Sequence, residues 1–99
     1  MNYSFHPFAQ IELNEATDYY EECRPGLGNE FVKDIYAAIH RILLFPKAWS
    51  PISKNTRRCL VNRFPYGVIY QIVNDEILII AVTQLNRSPQ DFRNRLKRR

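Results

Sequence analysis

Cysteine is scarce in this chain, and so are glycine and long apolar runs. Only Cys23 and Cys59 occur among 99 residues. They form no Cys-x-x-Cys pair, and no histidine is spaced to complete a zinc site. Two ordinary thiols are expected, one on a helix and one on a strand, since a reducing compartment disfavours a disulfide. There is no Gly-rich phosphate loop, no nucleophile elbow and no metal-ligand cluster, so conventional enzyme motifs are absent and no cofactor or metal is expected. The longest uninterrupted apolar run, Ile77–Val82, is far too short to span a bilayer. Met1-Asn2-Tyr3-Ser4-Phe5-His6 lacks the basic start and apolar stretch of a signal peptide. A cytoplasmic protein without a membrane partner is the expectation.

Acidic residues are scarce in the second half. Residues 47–99 carry eleven Lys/Arg against three acidic side chains (Asp75, Glu76, Asp91), a net of +8. Residues 1–46 carry three (Arg24, Lys33, Arg41) against seven, a net of −4. A folded domain with one basic side would attract a polyanion or an acidic protein segment, unless the uneven charge is only solvated surface. Hydrophobic content of 45% and aromatic content of 13% suit a folded globule. The length suits one domain over residues 1–99, with no room for a second core.

Tyr3–His6 reads as a short opening strand. Pro7 suits the first turn of a helix, where its missing N–H costs nothing. Phe8, Ile11, Ala16, Tyr19, Tyr20 and Cys23 follow a helical spacing and are the expected buried face, with Glu12, Glu15 and Asp18 as solubilising charge. Arg24-Pro25-Gly26 ends this helix. A second begins near Gly28 or Asn29, carries the stripe Phe31, Ile35, Ala38, Ile39, Ile42 and Leu43, and stops at Pro46. The short connection implies an antiparallel helical hairpin. The segment Pro46–Asn55 reads as one long irregular loop.

Three strands follow: Thr56–Phe64, Tyr66–Val73 and Glu76–Gln84, with a corner at Pro65 and a tight hairpin at Asn74-Asp75. Pro89–Lys97 can form a short basic last helix with Ser88 as its N-cap. The expected order is β-α-α-β-β-β-α. This is an α+β fold in which the helical hairpin covers one face of a small, largely antiparallel sheet and leaves the other partly open.

Strand alternation places Arg57, Cys59, Val61 and Arg63 on one face and Arg58, Leu60, Asn62 and Phe64 on the other. Which set meets the helices stays open, and a bulge at Phe64-Pro65 would invert the phase. Arg63 and Arg87 are the leading candidates for an open-face pair, with Arg58 as a third. Convergent guanidinium groups can clamp phosphates and stabilise charge on a phosphorane; singly, each serves equally well as a solvated or ion-paired surface group. Tyr66 and Tyr70 could stack on a base or simply pack. His6 reads more as the residue that begins the first helix than as a general acid or base.

Several ordered stretches then carry a family resemblance: Phe5-His6-Pro7, Ala16…Tyr19-Tyr20-Glu21, Gly26-Leu27-Gly28…Phe31 and Pro46…Trp49. Arg57-Arg58…Arg63-Phe64-Pro65-Tyr66…Ile69-Tyr70, then Ala81-Val82…Arg87…Pro89…Arg95, are the most diagnostic. Over about ninety residues the chain resembles the RelE/ParE family of toxins from bacterial type II toxin–antitoxin modules, also labelled plasmid stabilisation proteins.

The resemblance implies a compact toxin neutralised by a cognate antitoxin. RelE-like members are ribosome-dependent endonucleases that cut mRNA; ParE-like members inhibit DNA gyrase. Arg87 matches a nuclease arginine and Arg58 falls where a catalytic lysine can lie. Leu60 and Gly67, however, stand where other basic catalytic residues are expected, and Arg93 stands near the position of a terminal tyrosine. The Arg63–Tyr66 corner and the ending Arg87–Arg95 lie closer to the ParE-like side.

The leading expectation is therefore a gyrase poison that contacts its target through Arg63, Tyr66, Arg87, Phe92, Arg93 and Arg95. The alternative is an mRNA interferase acting on the ribosome through Arg58, Arg63 and Arg87. A third reading is a degenerate toxin that only binds its antitoxin. The antitoxin is expected along the helical hairpin and sheet edge, near Tyr19, Tyr20 or Tyr36.

Overall fold

A computed structural model describes residues 1–86 and Arg95. The element order is β1 (Tyr3–Phe5), α1 (Pro7–Cys23), α2 (Leu27–Leu44), β2 (Ser50–Ser53), β3 (Thr56–Leu60), β4 (Tyr66–Val73) and β5 (Glu76–Gln84). The five strands form one sheet in the order β1-β5-β4-β3-β2. β1 runs parallel to β5, and every other pairing is antiparallel. The helical hairpin therefore carries the chain from one edge of the sheet to the other. This is the expected α+β architecture. The expected last helix lies outside the described residues, Arg95 aside.

Local chemistry fixes the helix ends. His6 is the N-cap of α1, its Nδ1 accepting from Phe8 N at 3.1 Å with Pro7 behind it at the first helical position. Gly26, at φ +91°, takes the left-handed conformation that lets α2 start immediately after α1. Glu21 in the last turn of α1 joins the two helices. Its carboxylate accepts from Gly26 N (3.0 Å) and Gly28 N (3.1 Å), placing negative charge at the amino end of α2. At the other end, Arg41 O accepts from Phe45 N at 3.0 Å and also from Trp49 Nε1 at 3.3 Å, which ties the following chain to the last turn.

Three expectations are corrected. The segment expected to be an irregular loop contains β2, which pairs antiparallel with β3 through Ser50–Arg58 and Pro51–Arg57. Pro51 is tolerated because β2 is an edge strand. β3 ends at Leu60 rather than Phe64; Val61 N bonds Tyr66 O at 3.0 Å, and residues 61–65 form the corner.

The buried face of α1 is rotated from the expected one. Ala9, Leu13 and Ala16 are buried, whereas Phe8, Ile11 and Tyr19 are 56%, 48% and 61% exposed. The two alanines let α1 lie close against its neighbours, which larger residues at those positions would prevent. α2 buries Phe31, Ile35, Ala38, Ile39 and Ile42 as its stripe requires.

The helices cover the sheet face that carries Cys59, Val68, Tyr70, Ile77, Ile79 and Val82. Cys59 Sγ lies 3.9 Å from Ala38 O, and the Tyr70 hydroxyl donates to Pro46 O. Burial pushes the Cys59 thiol pKa up, against an opposing pull from Arg41.

The other face is not open at its centre. Ile69, Ile80 and Ala81 are 0–1% exposed and pack with Ile52 and Leu78. A bulge makes this possible: Ile69 pairs with Ala81 but Tyr70 with Ile79, leaving Ile80 as the extra residue. Asn74 (φ 53°) and Asp75 (φ 61°) close β4 to β5 in the left-handed conformation that a two-residue hairpin turn needs.

Candidate functional site

Arg58 is the described arginine on the sheet face turned away from the helices. It pairs with Ile69 across the β3–β4 ladder, and its side chain lies flat over Gly67. A Cβ at Gly67 would sit 2.9 Å from Arg58 Cγ, so the glycine makes the room that the guanidinium stem uses. Arg58 Nε is buried without a hydrogen-bond partner, and so is the Thr83 hydroxyl, on the residue that pairs with Gly67. No ion pair joins Arg58 to a described residue.

Arg63 is not on that face. The corner after Leu60 turns it toward α2, where Nε donates to Asp34 Oδ2 at 3.0 Å and Nη1 to Glu30 Oε1 at 3.1 Å. Hydrogen bonding to Asp34, reinforced by the charges of Asp34 and Glu30, raises the Arg63 pKa further. Arg24 completes the cluster through Glu30 at 3.2 Å. The expected place of Arg63 on the open face, paired with Arg87 and with Arg58 as a third, is therefore corrected: Arg63 lies on the helix side and Arg58 on the other. Arg87, Phe92 and Arg93 lie outside the described residues.

Tyr66 faces the helices as well. It is 8% exposed, with its ring 5.0 Å from that of Phe31 and 6.1 Å from that of Tyr20. Phe64 closes this cluster 4.8 Å from Tyr20. Stacking a base on Tyr66 would require this cluster to come apart. Burial raises the Tyr20 hydroxyl pKa, consistent with its place at the margin of the cluster. Of the three tyrosines expected to meet an antitoxin, Tyr19 and Tyr36 are 61% and 40% exposed, and Tyr20 is half-buried.

Those two exposed tyrosines mark different grooves on the flanks of α1. Tyr36 joins Leu13, Thr17 and Val32 around a groove of ≈ 420 Å³ between the helices. Tyr19 joins Glu12, Glu15, Tyr66, Thr83 and Gln84 around one of ≈ 310 Å³ beside β5.

Sequence reasoning set Glu12 aside as solubilising charge; the structure makes it a ligand of the sheet edge. β1 pairs with β5 only as far as Ile79, so the later residues of β5 have no strand on that side among the described residues. Glu12 Oε1 accepts from Val82 N at 3.1 Å and from Arg95 Nη1 at 2.7 Å. Arg95 also donates to Ile80 O at 3.0 Å, and its guanidinium lies over the Phe8 ring, 5.3 Å from the centroid. One carboxylate and one guanidinium thus satisfy two edge groups that a neighbouring strand would otherwise bind. The signal was present in the unequal lengths of β1 and β5.

No three His, Cys, Asp or Glu side chains converge on a possible metal position among the described residues, and no described helix is long and apolar enough to cross a membrane.

Comparison with known proteins agrees with this architecture. No curated protein matches the sequence. A chain of the chromosomal ParDE TA system from P. aeruginosa superposes with a TM-score of 0.74 at 17% identity, covering 85% of this chain and 95% of its own. That likeness is one of fold. The model of the ParE toxin of type II toxin–antitoxin systems, parDE, matches residues 3–89, the whole described sheet and both helices included. The chain belongs to the ParE toxin family of type II toxin–antitoxin systems.

Proposed function

We propose that the chain acts as a single-domain toxin that binds and poisons DNA gyrase without itself being a nuclease, and that a cognate antitoxin neutralises it in the cytoplasm. The observation that carries this reading is the separation of the arginines. A nuclease that leaves attack to the RNA 2′-OH must hold several cations around one phosphate. Here Arg63 is bound to two α2 carboxylates, Arg95 is bound to Glu12, and Arg58 stands alone on its face among the described residues. Leu60 and Gly67, its neighbours, offer no charge. Target contact through Arg63, Tyr66, Arg87, Phe92, Arg93 and Arg95 fits a binding role better than a catalytic one. A supercoiling assay with purified protein and gyrase tests it: the reading expects lost supercoiling and accumulated cleaved DNA, and unaffected gyrase at high toxin excess would sink it.

The antitoxin reading rests on the ridge that α1 leaves uncovered. Phe8, Ile11 and Tyr19 are exposed along it, and Tyr36 opens onto the groove between the helices. An amphipathic antitoxin segment would bury these side chains. Replacing Ile11, Tyr19 and Tyr36 together by serine should weaken the complex in a pull-down; undiminished capture would exclude this surface.

One observation favours a second reading. The unpaired guanidinium of Arg58 is the kind of group that a phosphate would engage, as in a ribosome-dependent mRNA endonuclease. Mapping transcript ends after induction decides: codon-linked cuts abolished by Arg58→Ala support the endonuclease, and intact mRNA with an SOS response supports gyrase. Normal growth without the antitoxin would leave only antitoxin binding.

A further inference from the structure

At the end of the sheet where β2 turns into β3, a groove of ≈ 290 Å³ opens between the hairpin and the chain leaving α2. Lys47, Lys54 and Arg57 line it, with Ser53 and Asn55 as further polar groups. No carboxylate lines it. Pro51, Ile72 and the Tyr70 ring supply an apolar wall.

This cation cluster differs from the ion-paired arginines among the described residues. Arg24, Arg63 and Arg95 each meet a carboxylate within 3.2 Å. Lys47, Lys54 and Arg57 form no ion pair with a described residue, although the domain has ten acidic side chains to draw on. Bringing three like charges around one cavity costs repulsion, which a bound anion would relieve. Arg57 is also fixed in place: its Nη1 donates to Trp49 O at 2.8 Å, while Trp49 itself is tied to the end of α2. A guanidinium held in this way is pre-organised, so less rotamer entropy is lost when a ligand arrives. The phenol of Tyr70 is neutral in the physiological range, as an ordinary tyrosine is, so it adds no opposing charge.

We propose that this groove is a binding site for a phosphate ester. The phosphoryl oxygens would meet Lys47, Lys54 and Arg57, with the Ser53 hydroxyl or Asn55 amide donating beside them. The sugar or base would rest on Pro51 and Ile72. The site lies on the helix side of the sheet, away from Arg58, and requires no particular toxin target. Its phosphate can come from a free nucleotide or from the backbone of a single strand.

Both sources are tested on the full chain by following amide shifts of residues 52–57 while adding adenosine monophosphate, inorganic pyrophosphate or oligothymidylate at low salt. All three cations engaged on a strand would give a slope of log affinity against log salt of about −2, falling to about −0.7 when two are removed. Lys47→Gln/Lys54→Gln is the informative variant. Both side chains are exposed and without ion pairs, so the fold should survive. It should weaken binding at least about tenfold, with Lys33→Gln on α2 as an unaffected control. Saturable shifts with the mononucleotide or pyrophosphate alone assign a small ligand; shifts with the oligonucleotide and the steeper slope assign a strand. No shift with any probe, or equal binding by Lys47→Gln/Lys54→Gln, overturns the proposal.

Discussion

Arg63 and Asp34 are 29 positions apart in sequence, yet Arg63 Nε and Asp34 Oδ2 meet at 3.0 Å and fasten the β3–β4 corner to α2. Glu30 adds a second carboxylate at 3.1 Å. Each pair is partly exposed, which limits its worth, but the shared guanidinium makes them one network. Arg63→Gln and Asp34→Asn should therefore lower the urea midpoint slightly, and the double variant should fall little further than either single. Additive losses would show that the two side chains act separately. The same variants separate support from target contact. If Arg63 touches the target, Arg63→Gln abolishes growth inhibition while Asp34→Asn spares it.

Gly28 is a point of close approach between the helices. A Cβ there would lie 2.7 Å from Thr17 O, a backbone atom that cannot swing aside, and 3.0 Å from Glu21. Gly28→Ala must push α2 from α1 and disturb the carboxylate that caps it. Its expected cost is about 1–3 kcal/mol by denaturant titration. Gly67→Ala meets side chains rather than backbone, the flexible stem of Arg58 at 2.9 Å and Leu85 Cδ2 at 3.4 Å, and should cost less while displacing that guanidinium. Equal costs would mean that Arg58 is as fixed as backbone.

The contrast between these glycines shows what the sequence could and could not reveal. Asn74-Asp75 announced its hairpin because few residues accept two consecutive positive φ angles. The α2 stripe was equally legible, since its large apolar residues recur at helical spacing. α1 was misread because its contact face uses Ala9 and Ala16, whose weak hydrophobic signal is outweighed by the exposed Phe8, Ile11 and Tyr19. Arg63 was misplaced because strand alternation was carried past Leu60, where the ladder has already ended. The bulge at Ile80 likewise puts two consecutive residues on one face, against the period of two. Glu12 is a tertiary fact: its role depends on where β1 stops along β5.

Glu12 also gives a direct stability test. Its side chain and that of Arg95 are only 15% and 14% exposed, so the ion pair is largely shielded from water. Glu12→Ala would leave Val82 N without its acceptor and the Arg95 guanidinium without its carboxylate, at an expected cost of about 1–3 kcal/mol. Glu12→Gln keeps an acceptor and should recover part of it. Amide exchange at Val82 is the specific readout: it should accelerate in Glu12→Ala before global unfolding does. An unchanged Val82 rate would show that something else protects this edge.

Tyr70 supplies a pH signature. Burial is the chief cause that raises its hydroxyl from 10.0 to about 12, with a smaller opposing pull from Arg57. The folded state thus holds this proton more tightly than the unfolded chain. Its contribution to stability is complete below pH 10 and is lost as pH rises from 10 toward about 12, because the unfolded tyrosine ionises first. Tyr70→Phe cannot ionise there. At neutral pH it forfeits the hydrogen bond to Pro46 O, a loss of about 0.5–1.5 kcal/mol. The stability gap between native protein and Tyr70→Phe should therefore narrow across that alkaline window. Tyr19 and Tyr20, whose pKa values are also raised, are present in both proteins and drop out of the difference. Urea titrations of both proteins at intervals above pH 9 measure the gap; a constant gap would mean that the Tyr70 hydroxyl reaches water more freely than its burial implies.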